Sequence, residues 1–355
     1  MSARGRAPTQ ARSTVRLLLA CNNRCAFCAQ DGLVGLDPPL FEADLERARA
    51  LSDELTFTGG EPTLDDALAS KVSAARAIGF RRVGVQTNGS RLASASYTRA
   101  LRDAGLTDVH LSVHGADAAV HDYHSGRPGS FGDLLAALHN ARTSDLVIAV
   151  TTVLTRSNFR VLAGIPKLLE RRGASAWFVS VPVIAGRAAA LRDRIVPRLG
   201  LAIPFALHAL AAADAVKLPS WTVGAPACLL GPFATRALAS ETRAYAAVCE
   251  TCPAQPSCPG VDPDYLARWG GDELAPRDAV ASAKTSDLAA MFVGAGETAP
   301  REAPAVAAVA SARRSLPMLG KVRPAIAEAS AGKERRTGEA LREILPALFG
   351  DEEKR

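Results

Sequence analysis

The 355-residue sequence contains no long, uninterrupted apolar run. A helix that crosses a bilayer needs about 20 predominantly apolar residues in succession. The best candidate, LAIPFALHALAAADAV at residues 201–216, contains a proline, a histidine and an aspartate, which favours a buried helix. The basic start MSARGRAPTQARS lacks the apolar segment of a secretory signal. We therefore expect a cytoplasmic protein that does not span a membrane.

Aromatic residues are also scarce, at 5% of the chain, but hydrophobic residues reach 48%, which is enough for a substantial core. The net charge of +6 is modest for this length, and the arginines are spread along the sequence. Nucleic-acid binding usually shows a clustered basic patch, so this charge gives it little support. Length and composition fit one large domain with an appendage, or two domains.

Cysteine is infrequent, but its placement is informative. The seven cysteines fall into a group of three and a group of four, namely Cys21, Cys25, Cys28 and Cys228, Cys249, Cys252, Cys258. Structural disulfides are rare in a reducing cytoplasm, where grouped cysteines usually bind metal. The division into three and four predicts two metal sites of different kinds.

Short apolar runs alternate with amphipathic segments between residues 14 and 215. The predicted strands are VRLLLA (15–20), ELTFTG (54–59), RVGVQT (82–87), DVHLSVH (108–114), DLVIAVTT (145–152) and AWFVSVP (176–182). A repeat of about 30 residues is that of a βα unit and predicts a parallel sheet in an α/β fold. Six such units fit either an incomplete TIM-like barrel or an open doubly wound sheet.

Polar segments follow three of the predicted strands: TGGEP, QTNGS and SVHGAD. In both candidate folds the functional site lies at the carboxyl ends of the strands. Alternation along the fourth strand places His110, Ser112 and His114 on one face, which points inward in a barrel.

The first cysteine group has the spacing C-x3-C-x2-C directly after the first strand. Structural zinc normally takes four protein ligands. Three thiolates leave one position unfilled, and a [4Fe–4S] cluster held by three cysteines has one iron open to an external ligand. Phe27 would help to exclude water there. A zinc loop that borrows a fourth ligand, or buried cysteines without metal, are the alternatives.

Together with Phe27, this spacing resembles the signature of the radical S-adenosylmethionine (radical SAM) superfamily. Further segments resemble the family's second to fifth strands in order: TFTGGEPTL (56–64), QTNGSRL (86–92), LSVHGADAAVHDYHSGRPGSFGDLLAALHNA (111–141) and VTTVLTRSN (150–158). Each match alone is weak, and TGGEP by itself would be read as a strand-to-helix turn. Their common order and spacing across about residues 13–200 make the resemblance specific.

The resemblance implies a partial TIM-like (β/α)6 barrel and a [4Fe–4S] cluster on Cys21, Cys25 and Cys28 with an open iron for S-adenosylmethionine (SAM). Reduction would cleave SAM to a 5′-deoxyadenosyl radical that abstracts a hydrogen atom, with the electron coming from a donor such as a flavodoxin or ferredoxin. The implied SAM-binding residues are Phe27, Gly59, Gly60, Glu61, Pro62, Asn88 and Ser112.

The second cysteine group, C-x20-C-x2-C-x5-C, is compatible with zinc or with a fully ligated [4Fe–4S] cluster. It resembles the auxiliary-cluster modules called SPASM and twitch domains. Asp262 stands where the SPASM pattern continues with cysteine, and three further cysteines of that pattern are missing. One auxiliary cluster on Cys228, Cys249, Cys252 and Cys258 is therefore expected. For Asp262 a turn or surface role is favoured over the alternative of an oxygen ligand.

Five of the six histidines lie between residues 110 and 139. His114, His121 and His124 resemble a metal triad on paper, but their spacing does not suit one helix face. Hydrogen-bonding or core roles are favoured. His114, at the end of a strand, is expected to face SAM or the substrate.

The sequence thus predicts a flexible start (1–13), a barrel (14–215), an auxiliary iron–sulfur module (216–270) and a helical or weakly ordered extension (271–355). The function expected is a radical SAM oxidoreductase or maturase that acts on a peptide, protein or cofactor precursor. Two alternatives stay open: a nucleic-acid-modifying enzyme that uses the basic KERR (333–336), and a zinc-stabilised binding module without catalysis.

Overall fold

In the computed structural model, which describes residues 12–31, 41–239, 243–280 and 288–291, eight parallel strands form a sheet whose spatial order follows the sequence. The strands are β1 (Ser13–Arg16), β2 (Glu54–Thr58), β3 (Arg82–Thr87), β4 (Asp108–Ser112), β5 (Val147–Val153), β6 (Ala176–Ser180), β7 (Ser220–Val223) and β8 (Ala237–Leu238). A doubly wound sheet reverses its strand order at a switch point, and this sheet does not. The α/β fold is therefore a curled partial barrel.

Helices connect the strands on the outside of this sheet. They are α1 (Phe41–Leu51), α2 (Leu68–Ala77), α3 (Ala95–Asp103), α4 (Ala118–Ser125), α5 (Ser130–Thr143), α6 (Ile165–Arg171), α7 (Gly186–Ala190), α8 (Arg192–Ile195), α9 (Leu199–Ala215) and α10 (Pro263–Trp269). None of the helices in the described ranges combines the length and apolar character that a bilayer crossing requires.

The helix predicted at 201–216 is α9, but only one of its faces is buried. Ala202, Ala206 and Leu210 belong to the core, while Leu201 is 54% exposed. The helix therefore covers the sheet in the way an amphipathic helix does, although nearly all of its residues are apolar.

A strand is present for each of the six predictions, although β1 ends at Arg16 and not at residue 20 as predicted, and two more strands follow. β7 and β8 lie within residues 216–270, the range predicted as an iron–sulfur module, and they extend the sheet beyond residue 215. Strands of four and two residues are too short to show a period of two. Most of the predicted 1–13 segment, the predicted helices 284–296 and 337–350, and KERR (333–336) lie outside the described residues, apart from 288–291.

The two faces of β4 have different surroundings. Val109 and Leu111 belong to the main apolar core. On the other face, the His110 ring lies 5.6 Å from the Phe178 ring, and its Nε2 is 2.6 Å from Thr151 Oγ1. The inward-facing side of the sheet therefore carries polar side chains that pair with each other across neighbouring strands.

A buried ion pair lies at the amino ends of the strands, opposite the predicted site. One guanidinium nitrogen of Arg12 donates to both carboxylate oxygens of Asp108, at 2.7 and 2.9 Å. The two side chains are only 2% and 3% exposed. The position at the end of the sheet away from the cysteines indicates a role in stability.

We expect Asp108→Ala to lower the free energy of unfolding by about 3–5 kcal/mol, because it leaves the buried Arg12 charge without its carboxylate counter-ion. Urea unfolding of the full-length, metal-free chain measures this. The control is Asp66→Ala, since Asp66 is 91% exposed and its 3.5 Å pair with Arg91 lies in solvent, which makes a loss below about 1 kcal/mol the expected value. Equal losses in the two variants would contradict a stabilising role for the buried pair.

Candidate functional site

The carboxyl ends of β1 to β6 surround a cavity of about 440 Å³. This volume is within the range of about 300–1,000 Å³ that is typical of small-molecule sites. The sequence-predicted residues that line it are Cys21, Cys25, Phe27, Cys28, Gly59, Gly60, Glu61, Asn88, Ser112, His114 and His121. Residues separated by up to 100 positions in the sequence thus share one cavity.

The first cysteine group occupies the loop after β1. Cys21 is exposed, whereas Cys25 and Cys28 are partly buried. Burial, and then the neighbouring Cys21 and Cys28 thiols, raise the pKa of Cys25 to about 12. Burial also raises the pKa of Cys21, and a positively charged group such as a bound metal favours the thiolate forms of Cys21 and Cys25.

The chain fixes this loop through backbone contacts. The amide of Arg24 donates to the carbonyl of Ser125 at 2.8 Å, and the Cys28 amide donates to the Cys25 carbonyl at 3.2 Å. Gly126, which follows Ser125, has φ +66°, and a Cβ there would lie 2.7 Å from the Arg24 carbonyl oxygen. The C-terminal end of α4 therefore contacts the backbone of the cysteine loop and supports it.

Two glycines after β2 allow the segment that leads to Cys21 to approach closely. A Cβ on Gly59 would lie 2.5 Å from the Leu18 carbonyl oxygen, and one on Gly60 would lie 2.2 Å from that of Leu19. Real Cβ atoms do not come this near to backbone oxygen. The absence of side chains lets the amide of Gly60 donate to the Leu18 carbonyl at 2.7 Å.

Glu61 is 1% exposed, yet its carboxylate has no cationic partner among its described contacts. Oε1 accepts hydrogen bonds from the amide and hydroxyl of Thr63 and from the hydroxyl of Thr87, at 3.0, 2.6 and 2.6 Å. Oε2 accepts the Asn88 amide at 2.7 Å. Burial raises the pKa of Glu61, and these hydrogen bonds oppose that rise. Oε2 keeps the capacity to accept one more donor.

Pro62 does not line the cavity but begins the short 3-10 turn Pro62–Leu64, for which Glu61 is the N-cap. Proline suits this first position because its backbone has no N–H that needs a partner. Pro62 therefore fixes the direction in which Glu61 leaves the strand.

Asn88 connects the end of β3 to the cysteine loop. Its side-chain amide donates to Asn22 Oδ1 at 2.7 Å and lies 3.9 Å from the sulfur of Cys21. Its Oδ1 accepts the Ser90 amide at 2.9 Å. Ser112 lines the same cavity at the end of β4.

The histidines form a cluster of rings beside the cavity. Phe27 lies 4.5 Å from the His114 ring, which in turn is 5.7 Å from His121 and 6.2 Å from His124. Burial, followed by the other two rings, lowers the pKa of His114, and burial is also the main cause that lowers the pKa of His121 to about 4. His114 Nδ1 is buried without a hydrogen-bond partner.

Donor geometry fixes the states of two of these rings. The His114 amide donates to His121 Nδ1 at 3.3 Å, so that nitrogen carries no proton. His124 Nδ1 lies 2.6 Å from the Val120 carbonyl and therefore donates to it. Within the described ranges, no three His, Cys, Asp or Glu side chains are placed to hold a single metal ion.

The four thiols of the second cysteine group line a separate small pocket. The sulfur of Cys258 accepts the amides of Ala227 and Gly260, both at 3.4 Å, and the sulfur of Cys252 accepts the Arg277 amide at 3.5 Å. Hydrogen bonds to sulfur are one of the means by which a protein tunes an iron–sulfur cluster. The predicted set Cys228, Cys249, Cys252 and Cys258 is thus brought together in the fold.

Asp262 does not point to this pocket. Its Oδ1 accepts the Asp264 amide at 2.9 Å and caps α10, and its Oδ2 accepts the Ile184 amide at 3.0 Å. The turn role expected from the sequence is therefore the one that the structure shows.

Residues 15–159 match the family model of the radical SAM superfamily. These residues therefore form a radical SAM domain. It is similar to the AdoMet-dependent heme synthase of Nitratidesulfovibrio vulgaris, with 30% identity over 185 residues that cover 50% of this chain and 49% of that protein. It is also similar to the probable GTP 3′,8-cyclase of Methanothermobacter marburgensis, with 36% identity over 97 residues, 26% of this chain and 31% of the cyclase.

The match to the heme synthases spans about half the length of those relatives. Among solved structures, Streptococcus suis SuiB bound to precursor peptide SuiA has a TM-score of 0.51 at 12% identity, over 60% of this chain and 48% of SuiB. At this identity the likeness concerns the fold, and it agrees with the partial barrel of the radical SAM domain. The superfamily implies a [4Fe–4S] cluster and SAM as cofactors.

Sequence reasoning missed several residues that line the cavity of the radical SAM domain. Gln86 and Thr151 project from β3 and β5 on the same side as Ser112, and strand alternation contains the signal for them. Val181, Pro182 and Val183 also line the cavity. They follow β6 in an irregular connection, for which the sequence offers no periodic signal.

We expect Gly60→Ala to cost about 1–3 kcal/mol of folding free energy and to lower the iron bound by the first cysteine group, because residues 19–21 must move away from the new Cβ. Urea unfolding and iron analysis after anaerobic reconstitution measure the two effects. Gly132→Ala is the matched control, since a Cβ there meets nothing within 4 Å in helix α5 and should be neutral or stabilising by up to about 1 kcal/mol. Unchanged iron binding in Gly60→Ala would show that the close approach is dispensable.

Proposed function

We propose that this chain is a radical SAM enzyme that abstracts a hydrogen atom from a peptide, protein or cofactor-precursor substrate, with one auxiliary [4Fe–4S] cluster for electron transfer. The observation that carries this proposal is the meeting of three thiols and a buried carboxylate in a single cavity. A metal cluster and a cationic amino acid are the two kinds of group that such a site would stabilise.

Cys21, Cys25 and Cys28 are the proposed ligands of the first cluster. When bound, a [4Fe–4S] cluster with one open iron supplies the electron that cleaves SAM into methionine and a 5′-deoxyadenosyl radical, which takes a hydrogen atom from the substrate. The chain's contribution is to hold the three thiolates on one loop, seated on the backbone of Ser125 and Gly126.

Glu61 is the proposed partner of the SAM amino group. A buried carboxylate is stabilised by a nearby cation, and an ammonium group can donate to the remaining lone pair of Oε2. Gly59 and Gly60 leave their backbone accessible beside it, and Pro62 fixes the turn. These contacts would orient the methionine end of SAM toward the cysteine loop.

The remaining proposed SAM contacts lie around the same cavity. Asn88 and Ser112 offer polar groups at the ends of β3 and β4, and Phe27 with His114 forms an aromatic wall. Because burial lowers the pKa of His114 and His121, both imidazoles are neutral at neutral pH. A neutral wall does not repel the positively charged sulfonium of SAM.

The second cysteine group is proposed to hold a closed cluster with four thiolate ligands. Such a cluster has no open iron and would supply an acceptor for the electron that a substrate radical loses on oxidation, the proton passing to solvent or a base. The amide donors on the sulfur atoms of Cys252 and Cys258 support this assignment, since hydrogen bonds to sulfur are one of the means by which a protein tunes an iron–sulfur cluster.

Two classes of substrate are supported by the comparisons. The relatives include heme synthases, which points to a cofactor precursor, whereas the fold neighbour SuiB was solved with a precursor peptide. A cytoplasmic one-electron donor such as a flavodoxin or ferredoxin belongs to the same proposal, because the reductive cleavage consumes one electron.

Anaerobic reconstitution should give about eight iron and eight sulfide per chain, and reduction with SAM should release 5′-deoxyadenosine, measured by liquid chromatography and mass spectrometry. Cys25→Ala should abolish release of this nucleoside. Cys252→Ala should bind fewer iron atoms and still cleave SAM. Absence of 5′-deoxyadenosine from the wild-type chain, or its release by Cys25→Ala, would refute the proposal.

Glu61→Gln should weaken SAM binding to the reconstituted chain by about tenfold or more, because a hydrogen bond to a charged group contributes about 1.5–3 kcal/mol. Isothermal titration calorimetry under anaerobic conditions measures the dissociation constant. Glu42→Gln, an exposed change in the first turn of α1, is the control and should bind SAM as the wild type does. Equal affinity in both variants would remove Glu61 from the SAM site.

A further inference from the structure

Residues 181–187, which comprise the connection after β6 and the first two residues of α7, contact the first cysteine group. The amide of Arg187 donates to the Cys28 carbonyl at 3.0 Å, and its guanidinium donates to the Cys25 carbonyl at 2.8 Å. The other end of the guanidinium is held by Asp31 at 2.6 Å. Arg187 therefore binds the backbone of two proposed ligands at once.

Gly186 brings this connection against the cysteine loop. Its φ is +53°, and a Cβ there would lie 2.6 Å from the Asp31 carbonyl oxygen and 2.9 Å from that of Cys28. Both the left-handed conformation and the close approach exclude a side chain. Gly186 is thus required for its backbone conformation and close approach, and Arg187 for its hydrogen bonds to the cysteine loop.

The same connection is attached to the second cysteine group through Ile184. Its amide donates to Asp262 Oδ2 at 3.0 Å. Asp262 follows Cys258 by four residues, and the amide of Gly260, between them, donates to the sulfur of Cys258. Ile184 and Arg187 are three residues apart, so their Cα atoms are separated by at most about 11 Å.

The beginning of the connection lines the cavity. Val181, Pro182 and Val183 face the space that also contains the three thiols of the first group. Seven consecutive residues therefore contact the first cysteine loop, the cavity and the segment that carries the second cysteine group.

We propose that residues 181–187 form a strut that fixes the first cysteine group relative to the second, with Arg187 as the positioning residue for Cys25 and Cys28 and Asp262 as its anchor. That the two cysteine groups bind clusters is part of the proposed function, and this inference rests on it to that extent. The contacts that make the strut are those of the chain itself.

Arginine is suited to this position because its planar guanidinium donates in two directions at once, to a carbonyl and to a carboxylate. Lysine would place one ammonium group that cannot hold the same rigid geometry.

Asp262→Asn is designed to remove the contact of Asp262 with the strut and to keep its role as the N-cap of α10. Asparagine is a good N-cap, so its single carbonyl oxygen can keep the bond to the Asp264 amide while the Ile184 amide loses its acceptor. In the full-length, metal-free chain, hydrogen exchange measured by mass spectrometry should become several-fold faster both in residues 181–187 and in residues 22–29. Arg187→Gln should accelerate exchange in residues 22–29, while residues 247–249 exchange at the wild-type rate.

Arg236→Gln is the matched control, because it removes an arginine that donates to both oxygens of Asp214 at 2.8 and 3.0 Å without contacting either cysteine group. It should leave exchange in residues 22–29 unchanged. The double variant Asp262→Asn/Arg187→Gln should exceed the larger single effect only slightly, because both changes break the same connection.

Acceleration of residues 181–187 alone in Asp262→Asn, with residues 22–29 at the wild-type rate, would overturn the strut. An unchanged exchange rate of residues 22–29 in Arg187→Gln would also overturn it. These measurements need neither metal nor SAM. If the chain does not cleave SAM but exchange in residues 22–29 responds to both variants, the proposed function is refuted and the strut stands. If the chain cleaves SAM but exchange in residues 22–29 does not respond, the strut is refuted and the proposed function stands.

Discussion

The site depends on one steric constraint, the contact of Gly59 and Gly60 with the backbone of residues 18–20. At this point the chain leaves β1 and turns toward Cys21 while still donating and accepting hydrogen bonds along the end of β2. A side chain on either glycine would push the two strand ends apart. Glu61 follows directly, so the same contact sets the separation between the thiol loop and the buried carboxylate.

Parallel strands in sequential order explain how distant residues come together. Each βα unit returns the chain to the same edge of the sheet, so the segments after β1, β2, β3 and β4 each contribute residues to one cavity. At the opposite edge, the Arg12–Asp108 pair is buried and satisfies its own charges. The amino ends of the strands thus carry a stabilising ion pair, and the carboxyl ends carry the candidate site.

Most of the barrel could be predicted from sequence because its strands are apolar runs at a regular repeat, and Cys21, Cys25 and Cys28 could be grouped because they are neighbours in the chain. The bonding of Glu61 by Thr63, Thr87 and Asn88 could not, since it depends on the register between β2 and β3. β8, with two residues, carries no pattern. Arg187 was missed because nothing local marks its contact with a loop so far away.

That distance has a consequence for biosynthesis. The Arg187 guanidinium reaches the Cys25 carbonyl across 162 residues of sequence, and the Ser125 carbonyl reaches Arg24 across about 100. A ribosome adds roughly 5–20 residues per second, so the three thiols emerge about ten to thirty seconds before Arg187, and earlier still relative to Asp262. During that interval they are ordinary reactive cysteines on an unfinished chain. These thiols therefore need protection from oxidation in the cell before the finished fold can surround them.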